Sequence, residues 1–203
     1  MRLIVITSEA CFEGEAAALN RLFERGMGTL HLRKPQATEE DLRRLLLTIR
    51  AEFRDRIVLH SCFALAQPFR LKGVHLNRRN PACPQPRPSS LSRSCHAIAE
   101  LEQSDEFDYV FLSPIFDSLS KKGYTRAFSA EDLLQARTRG LIGKKVVALG
   151  GVSAATLPLA AAYGFGGVAV LGALWGDYPQ RRDEKGLIER FDTLRREILN
   201  FEF

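Results

Sequence analysis

The feature that most constrains this chain is an alternation. Short runs rich in β-branched residues and leucine take turns with longer segments whose apolar residues return at helical spacing. Such alternation marks successive βα units, in which strands lie parallel and helices cover the sheet. Eight strand-like runs can be counted, at residues 3–7, 29–33, 57–60, 73–76, weakly at 92–94, then 109–113, 145–149 and 167–171. Helices are expected over residues 16–24, from Thr38 to about Phe53, in a short turn near 64–69, and over a closing segment at about 187–200. Thr38 with Asp41 three residues later reads as a helix cap. Between Asn77 and Ser90, Pro81, Pro84, Pro86 and Pro88 exclude both helix and ladder.

Eight units closing on themselves predict an α/β fold, a single (β/α)8 TIM barrel spanning residues 1–203, with an open doubly wound sheet as the other solution. In such a barrel the pocket lies at the carboxyl ends of the strands.

The residues that follow the strands carry a consistent chemistry. Gly150-Gly151 follows the seventh run and Gly172-Ala173 the eighth, where glycine lets backbone N–H groups approach phosphate oxygens, or simply permits a tight turn. Arg33 and Lys34 follow the second run, Ser94 the fifth, and Ser118, Ser120 and Lys121 the sixth. Cations with hydroxyl donors suit a phosphate or pyrophosphate. Phe116 and Tyr124 flank the loop after the sixth run, as ring-stacking partners or as anchors to the rim, and Trp175 is expected to pack under the last helix.

The four histidines, His31, His60, His75 and His96, all fall on or just after strands two to five. A metallohydrolase cluster is the lesser reading, since no HxH pair or partnering carboxylate accompanies them. Hydrogen-bonded interior positions are preferred for His31 and His75, and a role beside Ser94 for His96.

A formal charge of +5 favours anionic partners. The basic residues are scattered in short pairs such as Arg78-Arg79 rather than in a stripe, so a phosphorylated metabolite is expected and nucleic acid is not. The four cysteines contain no CxxC pair, and no run of about 18 apolar residues is present. Free thiols, no membrane span and a cytoplasmic location are the corresponding expectations.

The stretches HLRK, GVHL, SCH, YVFLSPIFDSLSK, ALGGV and GVAVLGAL, in this order, resemble the thiamine phosphate synthase/TenI family over most of the chain. That resemblance implies a barrel joining a pyrimidine methyl pyrophosphate to thiazole phosphate, with release of pyrophosphate and use of magnesium. It places Arg33, Ser94 and Lys121 on the pyrophosphate, with Ser118 and Ser120 as loop hydroxyls, and Gly151 and Gly172 on the thiazole phosphate. A homodimer is frequent in the family.

The departures from the family pattern are specific. Where the synthases carry Asn-Asp after strand three and an acidic residue after strand four, this chain has His60-Ser61 and Arg79. The family's strand-two glutamine is His31, and its lysine two residues beyond the arginine is Pro35, with Lys34 one place early. Magnesium therefore lacks its carboxylates, and Arg79 and Lys34 are the residues that could supply positive charge instead. Two alternatives accompany the synthase reading. One is a TenI-like thiazole phosphate tautomerase, although Pro114 stands where the catalytic histidine of those proteins belongs. The other is a non-catalytic, regulatory binder of thiazole phosphate.

Overall fold

The computed structural model describes residues 1–117 and 127–201. Eight parallel strands close into a barrel in sequence order. They are β1 (Arg2–Ile6), β2 (Leu30–Leu32), β3 (Ile57–Leu59), β4 (Gly73–Leu76), β5 (Leu91–Cys95), β6 (Tyr109–Leu112), β7 (Val146–Leu149) and β8 (Gly167–Val170). The ring closes where Arg2 to Val5 of β1 pair with Gly167 to Val170 of β8. The barrel, rather than the open sheet, is thus the solution adopted.

Strands β2, β3, β4, β6 and β8 are buried at every position, as expected of a parallel sheet covered by helices on one side and filled on the other. Outward residues such as Val5, Leu30, Leu59 and Val110 join one large apolar layer with Leu19 and Leu22 of α1 (Glu15–Glu24) and Leu42 and Leu46 of α2 (Glu39–Thr48). A separate inner cluster contains Ile4, Ile6, Tyr109, Phe111, Val147 and Ala169. The wall formed by β2, β4 and β5 contributes His31, His75 and Ser92 instead, all three fully buried. The interior is therefore apolar on one side and polar on the other.

The helix expected from Thr38 to Phe53 is two elements. The Thr38–Asp41 capping box starts α2, but the chain turns extended at Ile49 and resumes as a 3-10 helix over Ala51–Arg56. The break is built by side chains. Asn20 Nδ2 donates to Thr48 O at 3.3 Å, its Oδ1 accepts from the Arg50 N–H at 3.1 Å, and Arg54 donates to Ile49 O. The turn drives Phe53 inward to stack on Phe23 with ring centroids 5.1 Å apart.

Among the described residues the remaining α-helices are α3 (Ala130–Thr138), α4 (Leu157–Ala162), α5 (Gly172–Trp175), α6 (Tyr178–Arg181) and the closing α7 (Glu184–Leu199). Trp175 does more than pack, since its indole N–H donates to Ile6 O at 2.8 Å and ties α5 to the carboxyl end of β1. Among the described residues no helix is long and apolar enough to cross a membrane.

Candidate active site

The polar wall of the barrel leads directly to the strand carboxyl ends. His31 sits on β2 with no exposed surface. Its Nδ1 lies 2.8 Å from His60 Nε2, just beyond β3, and its Nε2 lies 2.6 Å from the Tyr109 hydroxyl on β6. His75 on β4 is held at both nitrogens, Nδ1 to Ser92 Oγ and Nε2 to Ser94 Oγ, each at 2.9 Å. The His60 and His75 rings stack with centroids 4.3 Å apart. Asn77 and Asn80 both donate to His60 O, at 2.8 and 3.0 Å, which fixes the turn that carries this histidine.

Burial governs the protonation of these groups, because charging an imidazole away from water is costly. It holds His31 and His60 well below the ordinary histidine range, with neighbouring histidines adding to the effect. Burial, and then the positive charge of Arg33, lower His75 to about 3. Burial likewise pushes Tyr109 up to about 12. The column is neutral near pH 7.

Arg33 follows β2 and is half-buried. Its backbone N–H and Thr7 Oγ1 are 3.0 Å apart, and its guanidinium pairs with Glu9 at 2.9 Å. Its positive charge also disfavours protonation of His60 and His75. His96 is exposed, and its Nδ1 reaches Ser113 O at 3.1 Å, bridging the ends of β5 and β6 rather than joining the other three histidines. Arg79 is exposed and donates to Pro35 O at 3.3 Å.

Lys34 requires a correction. Its side chain has no exposed surface, and its ammonium is bound to the Glu15 carboxylate, Ser8 O and Ala10 O. An ammonium so enclosed does not face the mouth, and it cannot replace the displaced family lysine without breaking a buried ion pair. Burial pushes the Glu15 carboxyl up while Lys34 pulls it back. Ser118, Ser120, Lys121 and Tyr124 lie outside the described residues.

The glycine turns after β7 and β8 are placed as follows. Gly150 and Gly151 both have positive φ, +95° and +63°. A Cβ on Gly150 would stand 2.9 Å from Pro114 Cα, and one on Gly151 would collide with the carbonyl oxygens of Phe116 and Asp117. The segment after β6 therefore lies directly on the β7 turn, with Ile115 N donating to Leu149 O and Phe116 N to Gly150 O, both at 3.0 Å. That close approach alone accounts for the need for glycine at both positions. Gly172 and Ala173 open α5 and are half-buried.

Three residues of the site were not singled out in the sequence: Tyr109, Ser92 and Thr7. Tyr109 and Phe111 alternate on one strand, as do Ser92 and Ser94, so the period of two could have placed Tyr109 and Ser92 on the inner face.

Fold and site together define a (β/α)8 barrel whose strand carboxyl ends carry an arginine, serine hydroxyls, glycine turns and neutral imidazoles. Residues 3–174 match the family model described as thiamine monophosphate synthase. The chain belongs to that family, and thereby to the proteins of thiamine biosynthesis. It is similar to a solved thiamine phosphate pyrophosphorylase from Bacteroides thetaiotaomicron, 36% identical, with a TM-score of 0.90 and all of both chains covered. A putative thiamine-phosphate synthase from Geobacter sulfurreducens is 28% identical over 169 residues, 76% of this chain and 75% of that protein. A thiamine-phosphate synthase from Desulfitobacterium hafniense is 23% identical over 182 residues, 85% of this chain and 87% of its own length.

Proposed function

We propose that this protein is a thiamine phosphate synthase-like transferase, joining a pyrimidine methyl pyrophosphate to thiazole phosphate with release of pyrophosphate. The observation that supports this reading is the position of Arg33 directly after β2, Ser94 at the end of β5 and the glycine turns after β7 and β8, all at the strand carboxyl ends of one closed barrel. As the methylene C–O bond breaks, its electron pair leaves on the pyrophosphate oxygen, and a cation already in position stabilises that charge. Arg33 is that cation, with Lys121 as the second. Ser94, Ser118 and Ser120 serve the same anion, and Gly150, Gly151, Gly172 and Ala173 serve the thiazole phosphate through their backbone. His60, His96 and Arg79 are the further residues assigned to the substrate, whereas His31, expected there from the sequence, has no exposed surface and is held by His60 and Tyr109 inside the barrel.

Magnesium does not fit the donor set at the strand ends. The positions after β3 and β4 present an imidazole, a hydroxyl and an exposed guanidinium, none of them a carboxylate, whereas magnesium takes oxygen ligands. No step of the proposed reaction is therefore assigned to it. The same observation favours a second reading, a barrel that binds thiazole phosphate without turnover.

Mass-spectrometric detection of thiamine phosphate from the purified protein and both substrates, with and without magnesium and beside a Lys121→Ala variant, separates the two. Product that is lost in the variant supports the transferase. Bound thiazole phosphate without product supports the binder.

A further inference from the structure

We propose that His31, His60 and His75 form a binding site for one divalent transition metal of borderline softness, zinc being the reference case. Three of the chain's four histidines converge here from β2, the end of β3 and β4, and one nitrogen from each lies within 4.8 Å of the others. Among the described residues no carboxylate joins them, so the site is built of nitrogen. Such a set selects zinc, and metals of similar preference, over the oxygen-seeking magnesium and calcium.

One pair of nitrogens stands near the spacing of a loaded site, and the third lies within 4.8 Å. Zinc–nitrogen bonds of about 2.0–2.1 Å in a tetrahedron hold two ligand nitrogens about 3.3–3.4 Å apart. His31 Nδ1 and His60 Nε2 stand at 2.8 Å, sharing a proton. Exchange of that proton for a metal asks the pair to open by roughly half an ångström, and asks the His60 ring to turn out of its stack on His75.

A second, independent observation is the outer layer. A ligating histidine commonly donates its other N–H to a fixed acceptor, which sets tautomer and ring orientation. His31 has the Tyr109 oxygen at Nε2, and His75 has Ser92 Oγ at Nδ1. Those contacts leave as ligating atoms His31 Nδ1, which faces His60 Nε2, and His75 Nε2, which would exchange its contact with Ser94 Oγ for the metal.

Three neutral imidazoles leave the metal's charge uncompensated. The fourth position, on the Ser94 side, therefore suits an anionic oxygen such as that of a phosphate. This assignment does not depend on which reaction the barrel performs.

The test uses the full chain stripped of metal with a chelator, titrated with zinc chloride by calorimetry, and with cobalt(II) chloride by visible absorption. One zinc per chain and the intense bands of four-coordinate cobalt are expected. His60→Asn and His31→Gln should each weaken zinc by at least tenfold, and Tyr109→Phe by about tenfold through the outer layer. His96→Ala, whose ring lies outside the cluster, should bind as the parent does. Circular dichroism and melting temperature establish that each variant is folded, and Tyr109→Phe carries the test if a histidine variant is not. No zinc uptake by the parent overturns the proposal, as does uptake that persists unchanged in the folded variants or uptake of magnesium with equal affinity. Because no substrate is present, failure here is separate from failure of the transferase reading.

Discussion

The Tyr109 hydroxyl lies 2.6 Å from Nε2 of His31, a contact that crosses the inside of the barrel from β6 to β2 instead of running along its wall. Both partners are buried, so loss of one leaves the other without its hydrogen bond. Tyr109→Phe is expected to cost about 1–3 kcal/mol, the usual penalty for stranding a buried polar group. Urea unfolding of parent and variant checks this.

The neutral histidine column makes stability depend on pH. Folded-state values for His31, His60 and His75 lie below the ordinary 6.5, and His75 falls to about 3. The unfolded chain therefore binds more protons than the native one below about 6.5, and stability falls with decreasing pH through that window. Each histidine contributes up to about 1.4 kcal/mol per pH unit there. Thermal melts from pH 7 to pH 4 should show a steady decline, and His75→Gln should flatten it.

The enclosed Lys34–Glu15 pair yields an asymmetric prediction. Lys34→Met leaves a buried carboxylate with no partner and should cost about 3–5 kcal/mol, whereas the double variant Lys34→Met/Glu15→Leu should recover most of that loss. Denaturant midpoints of the three proteins decide it. A single variant as stable as the parent would show that the pair is not enclosed in solution.

Gly151→Ala combines a positive φ with a collision against the Phe116 and Asp117 carbonyls. The backbone conformation alone costs about 1–3 kcal/mol, and the segment after β6 must also move. Lower melting temperature together with weaker thiazole phosphate binding is the expected pair of results, read by calorimetry on the folded fraction.

Arg33→Ala should lower kcat/KM for thiamine phosphate formation by about 100- to 1000-fold, the range found when one preorganised charge-stabilising group is removed. A steady-state comparison with Arg33→Lys shows whether the bidentate fork matters beyond its charge.

Much of this fold was legible because its signals are local. The alternation of strand-like and helical runs located all eight strands, including β5, which occupies Leu91–Cys95 around the faint Ser92–Ser94 signal. The break after Thr48 was not legible, because the groups that make it, Asn20 and Arg54, act from outside the helix. In the site, His31 and His75 could be placed inside the barrel from strand position alone. The fate of Lys34 could not, since it depends on Glu15, nineteen residues away, entering α1 beneath the β2 loop. Nor does sequence spacing show that His60 swings onto His31 while His96 turns away to Ser113.

The division of the barrel interior has a consequence for how such a protein can change. On one side, Ile4, Ile6, Phe111, Val147 and Ala169 form a dry wall, and on the other, His31, His75 and Ser92 form a hydrogen-bonded one. Substitutions on the hydrogen-bonded side can exchange one ligand chemistry for another while the dry side keeps the cylinder closed. Recognition and closure are thereby assigned to opposite arcs of the same ring, and one can drift without the other.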